Sequence, residues 1–225
     1  GSLASSSNGV GMYHIYGDET THGEGYNMQQ IPKNEQGIFG QVTAQFGESY
    51  VLHTPKALRN ALRKGGLRVN HPCKAGPFYL LMPINTQPEM ISPLNLEALP
   101  GLPSFPLTSV SDNEQLEKAF TLIRNSSKIV IKAGGGSCKF AERVKQLAET
   151  CSIPVVLSPG STGVLPDQHP LNMHVGGSKG SISGNYAMAN AELLVVIGSR
   201  AVCQSDCSGI GYEKVTDVIN LNCDL

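Results

Sequence analysis

Residues 128–136, with the sequence KIVIKAGGG, determine the fold class that the chain suggests. The β-branched run at 128–133 predicts a buried strand, and the three glycines predict a turn into a helix. Similar apolar runs predict further strands at 154–157, 193–197 and 217–221. All four runs lack the polar alternation of a half-exposed strand, which favours a parallel sheet buried on both faces.

Helical patterns separate these strands. Ser111 and Glu114 have the spacing of a capping box, and apolar positions at 116, 119, 120 and 123 predict the core face of the helix that follows. The next helix is predicted to turn Phe140, Val144, Leu147 and Ala148 inward, and a short helix is predicted at 185–191. Strands and helices therefore alternate, which predicts an α/β domain with a Rossmann-like parallel sheet and helices on both faces.

The first half of the chain differs in composition and in its apolar pattern. Residues 10–50 are polar and rich in glycine, Thr54-Pro55 predict a helix start, Gly65-Gly66 predict its end, and 78–82 form a buried apolar run. Five prolines at 88–108 predict a stiff linker. We therefore predict part of a second α/β domain at 1–87, a linker at 88–108, and the Rossmann-like domain at 109–225.

Composition excludes several classes of function. The chain has 225 residues with a net charge of −1, no Trp and no long apolar run, so we expect no binding to nucleic acid or membrane. No signal peptide is apparent, and a cytoplasmic protein with reduced thiols is expected. Among the six cysteines, Cys203 and Cys207 are the one close pair. Asp206 is the one further ligand nearby, so we predict no metal site.

Three sequence features at the ends of predicted strands each have two possible roles, one in ligand binding and one in the structure of the domain. Gly134, Gly135 and Gly136 either receive a phosphate or form a tight turn that needs positive φ, because the complete dinucleotide fingerprint is missing. Gly176 and Gly177 either approach a ligand closely or form a flexible connector. Ser199-Arg200 follows a strand, where the guanidinium either holds a phosphate or forms a structural salt bridge.

The second half resembles a known family. It contains residues 128–136, the IPV at 153–155, the GVLPDQHPL at 163–171, Gly176-Gly177, and the ANAELLVVIGSR at 189–200. In this order and spacing they resemble the central domain of thiamine-diphosphate-dependent enzymes, the family of acetolactate synthases, 2-oxo acid decarboxylases and cyclohexanedione hydrolases. The resemblance covers about 110–225.

Upstream motifs extend the resemblance. The AGPFYLLMPIN at 75–85 resembles the strand that ends the pyrimidine-binding domain of this family, and the MQQ at 28–30 resembles its FQE segment. The YHIYGD at 13–18 resembles the HHTLGN loop of its decarboxylases, with Tyr13 in place of the first histidine. The cofactor-activating glutamate and the magnesium-binding GDG motif of the family have no counterpart in these residues.

The resemblance implies a lyase or carboligase that acts on 2-oxo acids or related diones with thiamine diphosphate and magnesium. It places His14, as a proton donor, and Gln30 near the catalytic cleft. Because some members bind FAD or ADP in the central domain, it also gives a set of candidate nucleotide-binding residues: Gly134, Gly135, Gly136, Gly176, Gly177, Ser199 and Arg200. A homo-oligomer is implied as well.

Two other functions remain open alternatives: a non-catalytic domain that binds FAD or ADP, and a structural domain for subunit contacts. The chain begins Gly1-Ser2 and stops soon after its last predicted strand. We therefore expect a trimmed piece of a longer enzyme, one that lacks activity of its own.

Overall fold

The computed structural model describes residues 2–22, 37–92, 94–105, 112–200 and 211–223. The chain divides into two compact units, Gly1–Leu107 and Thr108–Leu225. Each unit contains its own parallel sheet, with helices between the strands. No helix in the described ranges is long and apolar enough to cross a membrane.

The first unit contains a three-stranded parallel sheet in the order β1-β3-β2. A short 3₁₀ helix precedes its longest α-helix. Its elements, in chain order, are α1 Ser2–Asn8, β1 Met12–Asp18, α2 Ile38–Ala44, β2 Glu48–Val51, the 3₁₀ helix Pro55–Ala57, α3 Leu58–Val69 and β3 Pro77–Pro83.

The centre of this sheet is β3, which pairs with both neighbours. Its apolar residues are bounded by prolines at 77 and 83, and almost all of them are buried. Phe78 and Leu80 lie on one face and pack with Leu52 and Ala61 in a small hydrophobic core. The predicted strand at 78–82 is thus confirmed, because both of its faces are covered.

The predicted end of α3 is wrong. The helix continues through Gly65 and Gly66 to Val69. A Cβ atom at Gly65 would lie 2.3 Å from the Cε1 atom of Tyr13 and 2.9 Å from Cδ1 of Phe78. Gly65 therefore lets α3 pack closely on the sheet, so its small size matters here and its ability to end a helix does not.

The second unit contains a five-stranded parallel sheet in the order β6-β5-β4-β7-β8. This architecture confirms the predicted α/β class, and the predicted strands at 193–197 and 217–221 have their expected bounds. Its elements are α4 Asn113–Asn125, β4 Ile129–Ala133, a 3₁₀ helix Gly135–Phe140, α5 Ala141–Cys151, β5 Val155–Leu157, a 3₁₀ helix Pro159–Ser161, β6 Asn172–Val175, α6 Ile182–Asn190, β7 Leu193–Ile197 and β8 Asp217–Leu221.

Both faces of β4, β5 and β7 are buried, as predicted, whereas β8 is largely exposed and its prediction as a buried strand is wrong. Successive residues of a strand point to opposite faces. In β4, Ile131 and Ala133 belong to one hydrophobic cluster, while Val130 belongs to a second. The same alternation in β5 and β7 gives one apolar core on each side of the sheet.

The helices of the second unit differ from the prediction in detail. The N-cap of α4 is Asp112, whose carboxylate accepts a hydrogen bond from the N–H of Glu114 at 2.9 Å. Ser111, the predicted cap, lies outside the described residues. Phe120 and Phe140 are 53% and 59% exposed, so their predicted core positions are wrong.

Three other residues predicted to face inward, Ile123, Val144 and Ala148, do pack against the core, and the prediction is confirmed for them. Leu122 and Ile123 of α4 pack against the core, as do Val144 and Ala148 of α5. Leu147, predicted to face inward, is partly buried there too. Aliphatic side chains therefore occupy the contact with the sheet, and the two aromatic rings lie at its margin.

The proline-rich stretch is described in part. Pro88, Pro100 and Pro103 lie in or beside segments without regular structure, and a 3₁₀ helix spans Leu96–Ala98. Pro93 and Pro106 lie outside the described residues. The division between the two units follows Leu107.

Candidate functional site

The three strands of the first unit end together at one edge of the sheet. Asp18, Val51 and Pro83 are the last residues of β1, β2 and β3, and parallel pairing places their carboxyl ends side by side. A pocket of about 330 Å³ opens there. Its lining consists of Asp18, Glu19, Thr20, Thr21, Gly37, Val51, His53 and Pro83. The carboxyl edge of an open parallel sheet is a common ligand-binding position.

The loop that follows β1 is tied to the loop that follows β3. The Oγ1 of Thr20 donates to the Oδ1 of Asn85 at 3.2 Å, and the N–H of Thr21 donates to the same oxygen at 2.9 Å. The Nδ2 of Asn85 donates in return to the Oγ1 of Thr21 at 2.9 Å. These bonds fix one wall of the pocket before any ligand arrives.

The pocket is rich in hydrogen-bond acceptors. Asp18 and Glu19 are buried carboxylic acids, and the two threonine hydroxyls add further oxygens. The lining residues that the structure describes include no lysine or arginine. Such a lining suits a ligand that carries hydroxyl or ammonium donors. The sequence prediction missed this pocket, because β1 was not predicted as a strand and the position of Asp18 at its end was therefore not visible.

His14 does not lie at this pocket. It is the third residue of β1, so the predicted HHTLGN-like loop is a strand. Four residues separate it from Asp18, about 13 Å at the usual rise of a strand. Its ring stacks on Tyr79 with centroids 4.9 Å apart, and its buried Nε2 has no hydrogen-bonding partner among the described residues. Gln30, the second predicted catalytic residue, lies outside the described residues.

In the second unit, part of the predicted nucleotide-binding set lies where the strand order reverses, while Gly176 and Gly177 follow the edge strand β6. From β4 the chain continues to β5 and β6 on one side, and from β7 it continues to β8 on the other. The loops after β4 and β7 are therefore neighbours at the carboxyl edge. This arrangement brings Gly134 close to Gly198 and Ser199 and Gly136 close to Gly198, while Gly135 faces Gly160. It is the crevice in which doubly wound folds bind nucleotides.

Packing between the two loops accounts for the glycine run. A Cβ atom at Gly134 would lie 2.3 Å from the carbonyl oxygen of Gly198. The N–H of Gly134 donates to the carbonyl of Ile197 at 2.9 Å, and that of Gly136 donates to Gly198 at 3.0 Å. These two amides are therefore already occupied and offer no donor to a phosphate.

The suggestion that these glycines need positive φ is wrong. The φ of Gly134 is −105°, and none of the three glycines of the run has a positive value. The left-handed residue at this edge is Gly198, with φ +58°. Gly134 and Gly136 have no side chain where the backbones of the two loops are in contact. The residue that needs a positive φ is Gly198 in the facing loop.

The second glycine pair is also packed. The N–H of Gly176 donates to the carbonyl of Leu157 at 3.1 Å, and that of Gly177 donates to the Oδ1 of Asn185 at 2.8 Å. A Cβ atom at Gly176 would lie 2.3 Å from the Sδ of Met188. Both amides are therefore used inside the domain, like those of Gly134 and Gly136.

Ser199 and Arg200 follow β7 at the same edge. Ser199 is buried, and its carbonyl accepts a hydrogen bond from the Nδ2 of Asn222 at 2.7 Å, which links the ends of β7 and β8. Arg200 is exposed. A phosphate at this edge would therefore rely on the guanidinium of Arg200, because the glycine amides named above are engaged.

The described residues do not supply a metal site. No group of three or more His, Cys, Asp or Glu side chains in the described ranges is placed to hold an ion. Cys203 and Cys207 lie outside those ranges. The 225-residue sequence contains no Gly-Asp-Gly motif. The residues present therefore do not fit the magnesium-bound diphosphate of thiamine diphosphate, which needs oxygen ligands around the ion.

Comparison with known proteins supports one family. The model of the thiamine pyrophosphate enzyme central domain matches residues 116–224. The large subunit of acetolactate synthase isozyme 1 from Escherichia coli is 28% identical over 151 residues, which are 67% of this chain and 25% of that protein. "Probable acetolactate synthase large subunit" from Methanocaldococcus jannaschii is 31% identical over 171 residues, 73% of this chain and 28% of that protein.

The chain thus spans about a quarter of the length of these relatives. The family match covers nearly all of the second unit, whose parallel sheet and glycine loops have just been described. Residues 116–224 are therefore a central domain of the thiamine pyrophosphate enzymes, and the chain is similar to acetolactate synthase large subunits over up to 73% of its length.

Proposed function

We propose that the chain is part of a thiamine-diphosphate-dependent lyase or carboligase that acts on 2-oxo acids or related diones. The observation that carries this proposal is the central-domain match, together with similarity to acetolactate synthases that extends over 73% of this chain. In such enzymes the bound cofactor supplies a carbanion that attacks a carbonyl group.

The contribution of this chain is a scaffold and one pocket wall. The second unit provides a rigid sheet with a core on each face. The first unit provides the carboxyl edge at which Asp18 and Glu19 lie.

These 225 residues are proposed to lack activity of their own. Their sequence has no Gly-Asp-Gly motif, and the described residues contain no metal-binding group. Magnesium and the diphosphate would therefore have to be held by other residues of a longer enzyme. The proton-donor role of His14 remains a prediction, and its position in the middle of β1 gives it no access to the pocket edge.

Calorimetric titration tests this proposal directly. Purified chain is titrated with thiamine diphosphate plus magnesium, and pyruvate consumption is followed in parallel. We expect no binding of the cofactor and no turnover. Tight binding of thiamine diphosphate by the chain would contradict the proposal that the essential parts of the cofactor site lie elsewhere.

A second candidate function is binding of FAD or ADP by the second unit. It is favoured by one feature, the exposed Arg200 at the carboxyl end of a central strand. Titration with FAD and with ADP tests it, and Arg200→Ala should then weaken binding by about tenfold or more, the loss expected for a charge-assisted hydrogen bond to phosphate. Arg143→Ala, on the exposed surface of α5, is the matched control.

A further inference from the structure

The turn between α3 and β3 is built on the ring of His71. Its Nδ1 accepts hydrogen bonds from two backbone groups, the N–H of Cys73 at 3.1 Å and the N–H of Lys74 at 2.9 Å. A ring nitrogen accepts only when it carries no proton, which assigns the neutral ring with its proton on Nε2. Protonation of Nδ1 would turn this acceptor into a donor that faces two other donors. The closed turn therefore requires the neutral ring.

The same ring contacts the described part of the linker, residues 94–105, which we call the strap. The rings of His71 and Phe105 have centroids 5.0 Å apart and are tilted by 58°. A Cβ atom at Gly66 would lie 3.8 Å from the Cδ atom of Pro103, so the strap also lies against the last turn of α3. All of these contacts lie within the first unit. The histidine thus joins the turn to the strap.

The charged groups of α3, the turn and the strap give a protonated ring no partner. Arg68 of α3 donates from Nη1 to the carbonyl of Lys74 at 3.0 Å, so two cations flank the turn, whose other titratable group is Cys73. The strap contains one charged residue, Glu97. In the described part of the chain no carboxylate forms an ion pair with His71. Between the end of β2 and the end of β3 the sequence has six lysines and arginines and no aspartate or glutamate.

We propose that His71 is an acid-sensitive latch for the strap. Above about pH 6.5 the ring is neutral, the turn is closed, and Phe105 packs on it. In acid the ring takes up a proton, the N–H groups of Cys73 and Lys74 lose their acceptor, and the strap is released from α3. Because opening takes up one proton, the closed form loses up to about tenfold in its equilibrium for each pH unit below about 6.5.

A second histidine shows that the surroundings of the ring decide this behaviour. The Nδ1 of His169 also accepts a backbone N–H, that of Leu171 at 3.2 Å. Its Nε2, however, lies 3.0 Å from the Oε1 of Glu149, a carboxylate that stabilises the protonated form of the ring. An ion pair therefore offsets the loss of the backbone hydrogen bond at His169, and no described ion pair does so at His71.

Amide hydrogen exchange followed by NMR tests the latch in the whole chain. The rates are corrected for the intrinsic pH dependence of exchange. We expect the protection of the Cys73 and Lys74 amides to fall by about tenfold or more between pH 7.5 and pH 5. The ring resonances of Phe105 should shift over the same range, because the ring leaves His71. The amide of Leu171 should keep its protection.

The variant His71→Asn distinguishes a latch from a turn that is merely structural. An asparagine oxygen accepts backbone N–H groups further along a turn without titrating, and Asn-Pro favours the start of a turn. We expect His71→Asn to keep the amides of Cys73 and Lys74 protected at both pH values, and His71→Ala to expose both amides at both values. The matched control, His169→Asn, should leave the pH dependence of these two amides unchanged.

Three results would overturn the proposal. These are pH-independent protection of the Cys73 and Lys74 amides in the wild type, an equal loss of protection in acid in His71→Asn, and a simultaneous loss at Leu171, which would indicate general acid unfolding. Circular dichroism verifies that each variant is folded, and the wild-type measurement decides the question if a variant of His71 does not fold. No cofactor takes part, so failure of the proposed catalytic function is distinguishable from failure of the latch.

Discussion

The two sheets of this chain differ in how completely they are covered. In the five-stranded sheet, β4 has a partner on each side and an apolar cluster on each face. In the three-stranded sheet, β1 has one described partner strand, and four of its large apolar side chains are exposed. We therefore expect a parallel strand to gain its stability from what covers it, since β4 has two partner strands and two apolar clusters while β1 has one described partner strand.

A matched pair of substitutions tests this contrast and should give the largest effect. Ile131→Ala removes a fully buried side chain from β4, and we expect it to lower the free energy of unfolding by about 2–5 kcal/mol. Ile15→Ala makes the same change in the exposed strand β1. It should change stability by no more than about 0.5 kcal/mol where the chain is monomeric.

Urea unfolding with separate observation of the two units measures both values. Equal losses for the two variants would show that β1 is buried in solution even in the monomer. In that case the two sheets would not differ in how completely their strands are covered.

The second-largest effect is expected where the loops after β4 and β7 of the five-stranded sheet are in contact. Gly134→Ala would bring a methyl group to 2.3 Å from the Gly198 oxygen, so we expect a loss of about 1–3 kcal/mol from the second unit. Gly101→Ala is the control, because nothing lies within 4 Å of its new methyl group. Thermal unfolding of the two variants compares them, and a neutral Gly134→Ala would mean that the loops are apart in solution.

A smaller effect on stability is expected in the three-stranded sheet. The hydroxyl of Tyr13 donates to the carbonyl of Leu62 at 3.2 Å, so Tyr13→Phe should lower stability by at most about 1 kcal/mol. Burial raises the pKa of Tyr13. Its contribution is therefore present below the ordinary tyrosine pKa of about 10 and is lost as the pH rises towards the folded value.

Unfolding of the wild type, Tyr13→Phe and Tyr16→Phe across this alkaline range measures the effect. Tyr16 lies on the opposite face of the same strand and serves as the control. If the free energy of unfolding falls equally steeply with pH in the wild type and in Tyr13→Phe, Tyr13 is not the group responsible for the alkaline loss of stability.

The smallest effect is expected at an exposed ion pair of the covered sheet. Glu192 accepts hydrogen bonds from the Nζ of Lys128 at 2.9 Å and the Oγ of Ser127 at 3.1 Å, and these bonds lower its pKa. The contribution is present above the ordinary glutamate pKa of about 4.3 and is lost as the pH falls through the folded value.

Glu192→Gln should therefore destabilise the chain slightly at neutral pH and not at all in strong acid. Glu114→Gln, which breaks the exposed pair with Lys118, is the control. Acid unfolding curves compare the two variants, and a larger effect from Glu114→Gln would contradict this ranking.

The difference between the two sheets also explains how much of the fold could be predicted from the sequence. The strands β7 and β8 were predicted with correct bounds, because a run of adjacent apolar residues indicates a strand of a parallel sheet. Only β7 is buried as predicted, and β8 at the sheet edge is largely exposed. By contrast, β1 alternates polar and apolar groups irregularly and pairs with β3, 65 residues further along the chain. Local sequence contains no information about that pairing, so the strand was taken for a loop.

The candidate site was predicted less well than the fold. Asp18 and Glu19 look like ordinary surface acids, and only the convergence of three strand ends makes them the lining of a pocket. The glycine run at 134–136 was found, but its purpose was not, because the facing loop at Gly198 comes more than 60 residues later. Phe120 and Phe140 were misplaced because apolar character alone does not tell which side chain faces the sheet.

The central position of β4 beside β7 has a consequence for synthesis of the chain. Ile129 pairs with Leu193, 64 residues further along. At the usual translation rate of 5–20 residues per second, a ribosome adds β7 about 3–13 s after β4. During that interval one edge of β4 and its apolar faces lack their final partner, so the nascent second unit is a natural client for chaperones.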